Sequence, residues 1–136
     1  MSDFNWLITC LIIACLLPYF AKAPLAWSMQ QFGRLQDKGY DNQLPRIQQQ
    51  ALTGFGARCL AAHENSFEAL LVFIPAVLLT IATEQVTTLS VTLAWIFILS
   101  RVSYLFCYWL NWDKLRSTVW AIGLIVSIAM MYLCLN

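Results

Sequence analysis

Charged side chains are scarce in this 136-residue chain: 11% of the residues are Asp, Glu, Lys or Arg, whereas 60% are hydrophobic. A water-soluble domain carries about 25% charged residues. Glycine and proline are also few, with five and four copies, and no low-complexity run occurs. This composition excludes a disordered or fibrous chain and predicts a small polytopic membrane protein with one domain over residues 1–136.

Several catalytic signatures are missing as well. The chain has one histidine and scattered carboxylates, so the sequence contains no recognisable metal-ligand set. No Ser–His–Asp arrangement can be placed, and there is no glycine-rich phosphate loop. The five cysteines lie in apolar stretches without a CxxC pair, so we interpret them as small buried hydrophobic residues. A net charge of +1 gives no reason to expect a nucleic-acid partner.

What the chain does have is long apolar runs. Four segments approach the ~20 residues that cross a bilayer, and each must be helical because lipid offers no partners for a bare backbone. The predicted spans are residues 4–21, 57–83, 89–110 and 115–135, and the first is compatible with a helical continuation toward Met29. The predicted fold is therefore all-α, a bundle of four transmembrane helices.

Lysine and arginine are distributed unevenly between the connections. The basic residues in or beside the first and third connections are Lys22, Arg34, Lys38, Arg46, Lys114 and Arg116. The second connection holds only Glu84, and the N-terminus holds only Asp3. Because basic loops stay in the cytoplasm, we predict that both termini lie outside the cytoplasm. The N-terminus lacks the basic segment of a cleaved signal, so we expect the first helix to be retained.

The only long polar stretch connects the first and second spans, from Gln30 to Gln50. Asp41–Arg46 combines Asp and Asn with Pro45, a composition typical of a turn, and we expect this turn to lead into the cytoplasmic end of the second membrane helix. We expect Gln48 and its two neighbouring glutamines to lie on a helical turn exposed to water.

Ionisable side chains within the spans are the most informative feature. Arg58, Glu64 and Glu68 fall in the second span, and Arg101 falls in the third. A charge at mid-bilayer costs about 3 kcal/mol on insertion scales, so such residues usually face a bundle interior or a polar cavity. At about 100° per residue, Arg58, Asn65 and Glu68 share one helix face, with Glu64 at its border.

The third and fourth spans carry similar faces. Arg101, Tyr104 and Tyr108 lie within about 60° of one another on a helix, and the fourth span opens with Arg116 and Ser117. If the three faces converge, they form one polar pocket near the cytoplasmic ends of the helices.

A purely structural interpretation of these residues is also open. An Arg58–Glu68 or Arg101–Glu68 ion pair would hold two helices in register without any further role. Tyr104 and Tyr108 would then be packing aromatics.

The order of these residues resembles that of bacterial members of the MAPEG family, the membrane-associated proteins in eicosanoid and glutathione metabolism. The resemblance is carried by Tyr40-Asp41-Asn42-x-x-Pro45-Arg46, Arg58-x-x-Ala61-Ala62-His63-x-Asn65-Ser66-x-Glu68, Arg101-x-x-Tyr104-x-x-x-Tyr108 and Leu115-Arg116-Ser117. It implies a left-handed four-helix bundle that assembles as a homotrimer, and we expect a bacterial inner-membrane location.

The resemblance also implies a function: transfer of glutathione, or a related thiol, to lipophilic electrophiles, or reduction of a peroxide, in a groove between subunits. The implied binding residues are Asn65, Glu68, Arg101, Tyr104, Tyr108 and Arg58, and the implied catalytic residues are Arg116 and Ser117. No metal is implied. A guanidinium near a thiol favours the thiolate, which is the nucleophile.

Two positions depart from the family pattern. Glutathione-dependent members carry arginines, which bind glutathione carboxylates, where this chain has Ala61 and Glu64. This departure favours a second hypothesis, a non-catalytic protein that binds membrane lipids or another hydrophobic molecule in the same groove. The family includes a lipid-binding member without enzymatic activity, so a shared fold does not decide between the two hypotheses.

Overall fold

Four long helices and one short one make up the computed structural model, which describes residues 2–135. They are α1 (Asp3–Arg34), α2 (Pro45–Gln50), α3 (Gly54–Ala82), α4 (Thr88–Trp109) and α5 (Asp113–Leu133). All except α2 are long and apolar enough to cross a membrane. The predicted all-α fold with four spans is confirmed, and the chain is an integral membrane protein.

The first helix extends past residue 21, where the predicted span ends, and continues to Arg34. Pro18 and Pro24 lie inside α1 without ending it. Prolines are tolerated in membrane helices because neighbouring groups compensate for the lost backbone hydrogen bond. A side chain of α3 also contacts α1 here: the Nδ1 atom of His63 lies 2.9 Å from the carbonyl oxygen of Pro18.

The core of the bundle lies between the four long helices. Phe73 of α3 stacks face to face on Phe97 of α4, with ring centroids 3.8 Å apart. This stack belongs to an apolar cluster that also contains Leu7, Cys10, Ala14, Ala76, Val77, Val91, Ala94, Ile98, Val126 and Met130. Helix α5 packs mainly on α4 and α3, and α1 packs on α3 and α4.

Small residues let α5 approach α4 closely. A Cβ atom on Gly123 would lie 2.8 Å from the Oγ atom of Ser100, closer than real Cβ contacts. One turn further on, the fully buried Ser127 donates a hydrogen bond to the carbonyl oxygen of Gly123. Close helix contact at small residues is the usual source of packing energy in a bilayer, where burial from water contributes little.

The connection between α1 and α3 is an ordered loop that contains α2. The carboxylate of Asp41 accepts hydrogen bonds from the backbone N–H groups of Gln43 and Leu44, both at 2.9 Å, and Pro45 then begins α2. The predicted turn is confirmed, but the prediction that it leads into the second membrane helix is wrong, because α2 ends at Gln50 and α3 begins only at Gly54. Gly33 packs against the backbone of Gly39, leaving no room for a Cβ atom on Gly33.

The prediction that Gln48 is exposed to water is wrong. Its side chain is 8% exposed, and its amide nitrogen donates to the carbonyl oxygens of Gly39, at 2.8 Å, and Met29, at 3.2 Å. Its amide oxygen accepts from the backbone N–H of Asp41 at 3.0 Å. Gln48 therefore ties the loop to α1, because a buried loop must satisfy its backbone groups with side chains.

Candidate functional site

Arg101 is the centre of the polar site. Its side chain is only 4% exposed, and it lies on α4 between α3 and α5. The guanidinium donates from Nη2 to the side-chain oxygen of Asn65 at 2.7 Å, and more weakly to the backbone oxygen of the same residue at 3.5 Å. A buried guanidinium needs such acceptors, because an unpaired charge in a low-dielectric interior is costly.

Asn65 links Arg101 to Glu68. Its amide nitrogen donates a hydrogen bond to a carboxylate oxygen of Glu68 at 2.7 Å. Its amide oxygen accepts the hydrogen bond from Arg101. Only this orientation of the amide satisfies both neighbours, since guanidinium can only donate and carboxylate can only accept. The structural interpretation with a direct Arg101–Glu68 ion pair is therefore wrong: an amide separates the two charges.

Aromatic rings extend this chain of contacts from α4 to α5. The guanidinium of Arg101 lies 4.1 Å from the ring centroid of Tyr104, and the rings of Tyr104 and Tyr108 meet edge to face at 5.1 Å. The guanidinium of Arg116 lies 4.4 Å from the ring centroid of Tyr108. Cation–π contacts of this kind are worth about 0.5–2 kcal/mol. An unbroken series of contacts therefore runs from Glu68 on α3 to Arg116 on α5.

An open cleft, which we call the Arg101 cleft, lies beside these residues, with about 440 Å³ of empty space that includes part of its open mouth. Its lining residues are Asn65, Glu68, Ala69, Val72, Phe97, Arg101, Trp120, Gly123, Leu124 and Ser127. Asn65, Glu68 and Arg101 supply its charged and amide groups, and Val72, Phe97 and Leu124 supply apolar surface. The cleft is therefore amphipathic, and Phe97 joins it to the apolar core.

The site lies within the membrane-spanning part of the bundle. Glu68 is 14 residues before Ala82, the last residue of α3, and Arg101 is 13 residues after Thr88, the first residue of α4. At about 1.5 Å per residue, both lie roughly 20 Å from that end of the bundle. In a hydrocarbon core about 30 Å thick, they fall in the half nearer the first and third connections.

Of the sequence-based set, Asn65, Glu68 and Arg101 line the Arg101 cleft, and Tyr104, Tyr108 and Arg116 continue the contact series outside its lining. The other two residues, Arg58 and Ser117, join neither. Arg58 lies almost two turns before Asn65 on α3, with its guanidinium 5.9 Å from the ring centroid of Phe55, and its buried Nε atom has no hydrogen-bond partner. Ser117 is exposed, and its hydroxyl donates to the backbone oxygen of Asp113 at 3.2 Å. The six residues that form the contact series are Asn65, Glu68, Arg101, Tyr104, Tyr108 and Arg116.

Glu64 does not line the Arg101 cleft, although it precedes Glu68 by only one helical turn. Together with His63, it lines a second cleft, on the side of α3 next to α2. The acidic residue that departs from the family pattern therefore borders the Arg101 cleft of the same chain without lining it.

The apolar part of the Arg101 cleft contains residues that our sequence analysis did not identify. They are Ala69, Val72, Phe97, Leu124 and Ser127. A signal for two of them exists: Phe97 precedes Arg101 by one helical turn, and Ser127 follows Gly123 in a small-xxx-small pair typical of helix contacts. The remaining three are ordinary apolar residues of a membrane helix, so their sequence context carries no signal.

Glu68 of the Arg101 cleft and Arg116 at the far end of the contact series fit particular ligand groups. Glu68 is exposed and can accept from an ammonium or amide group, while Arg116 is half-buried and can stabilise an anion such as a thiolate. Among residues 2–135, no group of three or more His, Cys, Asp or Glu side chains could hold a metal ion.

A bundle of four membrane-spanning helices with a buried arginine–amide–carboxylate series defines a polytopic membrane protein with an intramembrane polar site. The MAPEG family model matches residues 6–136, nearly the whole chain. The chain belongs to the MAPEG family. Neither the search of curated proteins nor that of solved structures gave a significant match. Family membership supports a function of the MAPEG kind, in glutathione-related transfer or eicosanoid metabolism.

Proposed function

We propose that this protein is a membrane-bound thiol transferase or peroxidase that joins glutathione, or a related thiol, to lipophilic electrophiles or uses it to reduce lipophilic peroxides. The observation that carries the proposal is the contact series from Glu68 through Asn65 and Arg101 to Arg116 beside an amphipathic cleft. Binding an ionic thiol next to membrane-dissolved substrates requires polar and apolar surfaces side by side.

The two residues at the ends of the contact series, Glu68 and Arg116, have different proposed roles. Glu68 offers a carboxylate to the ammonium group of the thiol compound, and Asn65 holds that carboxylate in place at 2.7 Å. Arg116, positioned by the ring of Tyr108, favours the thiolate over the thiol. In conjugation, the thiolate forms a bond to the electrophilic carbon, and the leaving group departs with the electron pair of the broken bond.

The fit to glutathione is partial. The cleft of one chain supplies an acceptor for its ammonium group, Glu68, while the cation proposed for its sulfur, Arg116, lies outside the cleft lining, and Arg101 is already bonded to Asn65. The two carboxylates of the tripeptide therefore need further donors, which a neighbouring subunit would supply. This requirement supports a homotrimer with the site at a subunit boundary, because one chain alone leaves the ligand incompletely bound.

Substitution of Arg116 tests the proposal. In detergent-purified protein, we expect Arg116→Ala to lower kcat/KM for conjugation of glutathione to a chlorinated nitroaromatic by about 100-fold, the usual loss when one stabilising donor is removed. Lys114→Ala, which removes an exposed cation two residues away, is the matched control and should leave the rate unchanged. An enzymatic role would be refuted if the wild-type protein showed no thiol-dependent turnover in both assays, conjugation and reduction of a lipid hydroperoxide.

Thiol binding can be measured separately by thermal unfolding. Glutathione at 100 times its dissociation constant should stabilise the wild-type fold by about 2.7 kcal/mol. Glu68→Gln should weaken this stabilisation, because the neutral amide no longer attracts the ammonium group.

The second candidate function is a non-catalytic binder of membrane lipids or another hydrophobic molecule. It is favoured by the apolar half of the Arg101 cleft, which Val72, Phe97 and Leu124 line. A stoichiometric lipid that stays with the purified protein and is unaffected by Arg116→Ala, together with an absence of glutathione binding, would support this function over the first.

We also propose that the protein resides in a bacterial inner membrane with both termini outside the cytoplasm. The support is the basic residues of the first and third connections. A C-terminal alkaline phosphatase fusion, which is active only outside the cytoplasm, should show activity. An inactive fusion with intact membrane insertion would reverse the orientation.

A further inference from the structure

Two exposed carboxylates lie one helical turn apart on α3, at the end of the proposed thiol site that takes the ammonium group. Glu68 lines the Arg101 cleft, and Glu64 precedes it on the border of that cleft. Side chains at this spacing have Cβ atoms about 5–6 Å from each other. The carboxylates of Glu64 and Glu68 can therefore reach the same ligand group, although the chemistry proposed above uses only that of Glu68.

The surroundings of the two carboxylates differ. Glu68 accepts a hydrogen bond from the amide of Asn65 at 2.7 Å, which holds its carboxylate in place. Glu64 lies at the edge of the cleft next to α2, which Arg46 and His63 also line. Arg46 is exposed and brings a positive charge to that second cleft. Because both glutamates are exposed, a ligand bound at this end of the site meets two negative charges.

The guanidinium of Arg101 is poorly placed to bind a carboxylate of the ligand in return. Its side chain is 4% exposed, its Nη2 atom donates to Asn65 at 2.7 Å, and the ring of Tyr104 lies against it at 4.1 Å. The guanidinium of Arg116 lies at the far end of the contact series, where it is assigned to the sulfur. The end of the site on α3 therefore suits a cation better than an anion.

An ammonium group and a carboxylate respond to these glutamates in opposite ways. A primary ammonium has three N–H groups, so two carboxylates can accept hydrogen bonds from it at once. In glutathione, the γ-glutamyl ammonium and the α-carboxylate are attached to the same carbon atom. An ammonium bound at Glu68 therefore brings the α-carboxylate of glutathione close to Glu64, and the like charges repel each other.

We propose that this site, if it has the thiol function proposed above, selects a thiol whose amino end carries an ammonium group without an adjacent carboxylate. Glu64 is the residue that determines this selection, since it shares the ammonium with Glu68 and repels a carboxylate beside it. The preferred ligands are aminothiols and aminoacyl thiol peptides, and glutathione is a weaker ligand of the same site. Arg116 keeps its role at the sulfur.

Three peptides that differ only at the amino end test the selection. They are glutathione, γ-aminobutyryl-cysteinylglycine, which lacks the α-carboxylate, and glutaryl-cysteinylglycine, which lacks the ammonium. In calorimetric titration of the full-length protein in detergent, the γ-aminobutyryl peptide should bind about fivefold more tightly than glutathione, the size expected for one exposed charge pair. The glutaryl peptide should bind most weakly. High salt should reduce both differences, because it screens exposed charges.

Substitutions assign the selection to its residue. Glu64→Gln should remove most of the preference for the γ-aminobutyryl peptide, and Glu64→Lys should make glutathione the tighter ligand. Glu84→Gln, which neutralises an exposed carboxylate in the second connection, is the matched control and should keep the full preference. Arg46→Gln should increase the preference, because it removes the cation that opposes Glu64.

The outcomes distinguish this selection from the thiol function on which it rests. If none of the three peptides binds, the thiol function itself is wrong. If glutathione binds as tightly as the γ-aminobutyryl peptide or more tightly, the selection is wrong and the thiol function stands. The assignment to Glu64 is overturned if Glu64→Gln keeps the wild-type preference, or if it alters the preference only together with the oligomeric state measured by light scattering.

Discussion

The two halves of the helix bundle are held together by different interactions. In the half that contains the first residues of α1 and the last of α3, Phe73 and Phe97 stack at 3.8 Å among buried aliphatic side chains. In the other half, Arg101 binds Asn65 at 2.7 Å, and Asn65 in turn binds Glu68. The stability of the first half depends on the shape of packed side chains. The stability of the second half depends on the direction of its hydrogen bonds.

This contrast separates interactions that many apolar side chains can supply from interactions that depend on particular polar residues. Lipid tails are as apolar as leucine, so apolar packing in the bilayer gains from close contact and not from removal of water. Many apolar side chains of suitable volume can supply such contact. Few other side chains can replace those of the polar half, because each residue of the Arg101–Asn65–Glu68 series forms a hydrogen bond that the next residue needs.

The largest effect is expected from breaking the apolar half. Phe73→Ala removes a fully buried ring and its stack on Phe97, and we expect a loss of about 2–4 kcal/mol in the free energy of unfolding because the cavity fills poorly. Reversible unfolding in mixed micelles measures it. Leu71→Ala, at a site 76% exposed on the same helix, is the control and should change stability little. Equal losses in the two variants would contradict the described core.

Removing the amide that links the charges breaks the polar half. Asn65→Ala leaves the guanidinium of Arg101 buried without its main acceptor, so we expect a loss of about 2 kcal/mol in stability. Glutathione affinity should fall by about tenfold or more, because Glu68 loses the amide that holds it. Calorimetric titration and thermal unfolding measure the two losses. Asn5→Ala, an exposed asparagine on α1, should show neither.

The aromatic contacts between Arg101 and Arg116 allow a finer test. Tyr104→Leu removes the ring that stacks on the guanidinium at 4.1 Å, and we expect about 1 kcal/mol of lost stability and a lower kcat. Tyr104→Phe keeps the ring and should stay within about 0.5 kcal/mol of the wild type. If both variants behave alike, the hydroxyl rather than the ring is responsible.

The smallest effect is expected where the two halves meet. Gly123→Ala places a Cβ atom 2.8 Å from the Oγ atom of Ser100, and we expect a loss of about 1 kcal/mol from overpacking. Adding Ser100→Ala removes the obstructing oxygen and should restore part of that loss. A double-mutant cycle measures the coupling between the two positions. Strictly additive effects would show that Gly123 is not needed for this close approach.

Helical periodicity predicted much of the site, because residues on one face of a helix are determined by spacing alone. Arg101, Tyr104 and Tyr108 share a face in the structure as the sequence indicated, and Asn65 shares one with Glu68. Periodicity was misleading for Arg58, which lies on the predicted face of α3 but almost two turns before Asn65, the residue that binds Arg101. The angular position of a residue around its helix does not reveal which part of that helix, along its axis, contacts the adjacent helix.

The loop between α1 and α3 could not be predicted in detail for a similar reason. The Asp41 turn depends on contacts within four residues, and the sequence identified it. The burial of Gln48 depends on carbonyl groups at Met29 and Gly39, 19 and 9 residues earlier in the chain. Local sequence contains no record of which backbone groups a folded loop will leave in need of a donor.

The amino-acid sequence determined that this chain crosses a membrane as four helices, because about 20 apolar residues in succession have no other stable state in lipid. It also identified the few polar side chains within the spans, of which Arg101 is buried and Glu64 and Glu68 are exposed. Only the tertiary structure decided their partners: that Asn65 separates Arg101 from Glu68, and that Glu64 turns toward a different cleft. Such pairings depend on the relative height and rotation of neighbouring helices, which packing between α3, α4 and α5 settles.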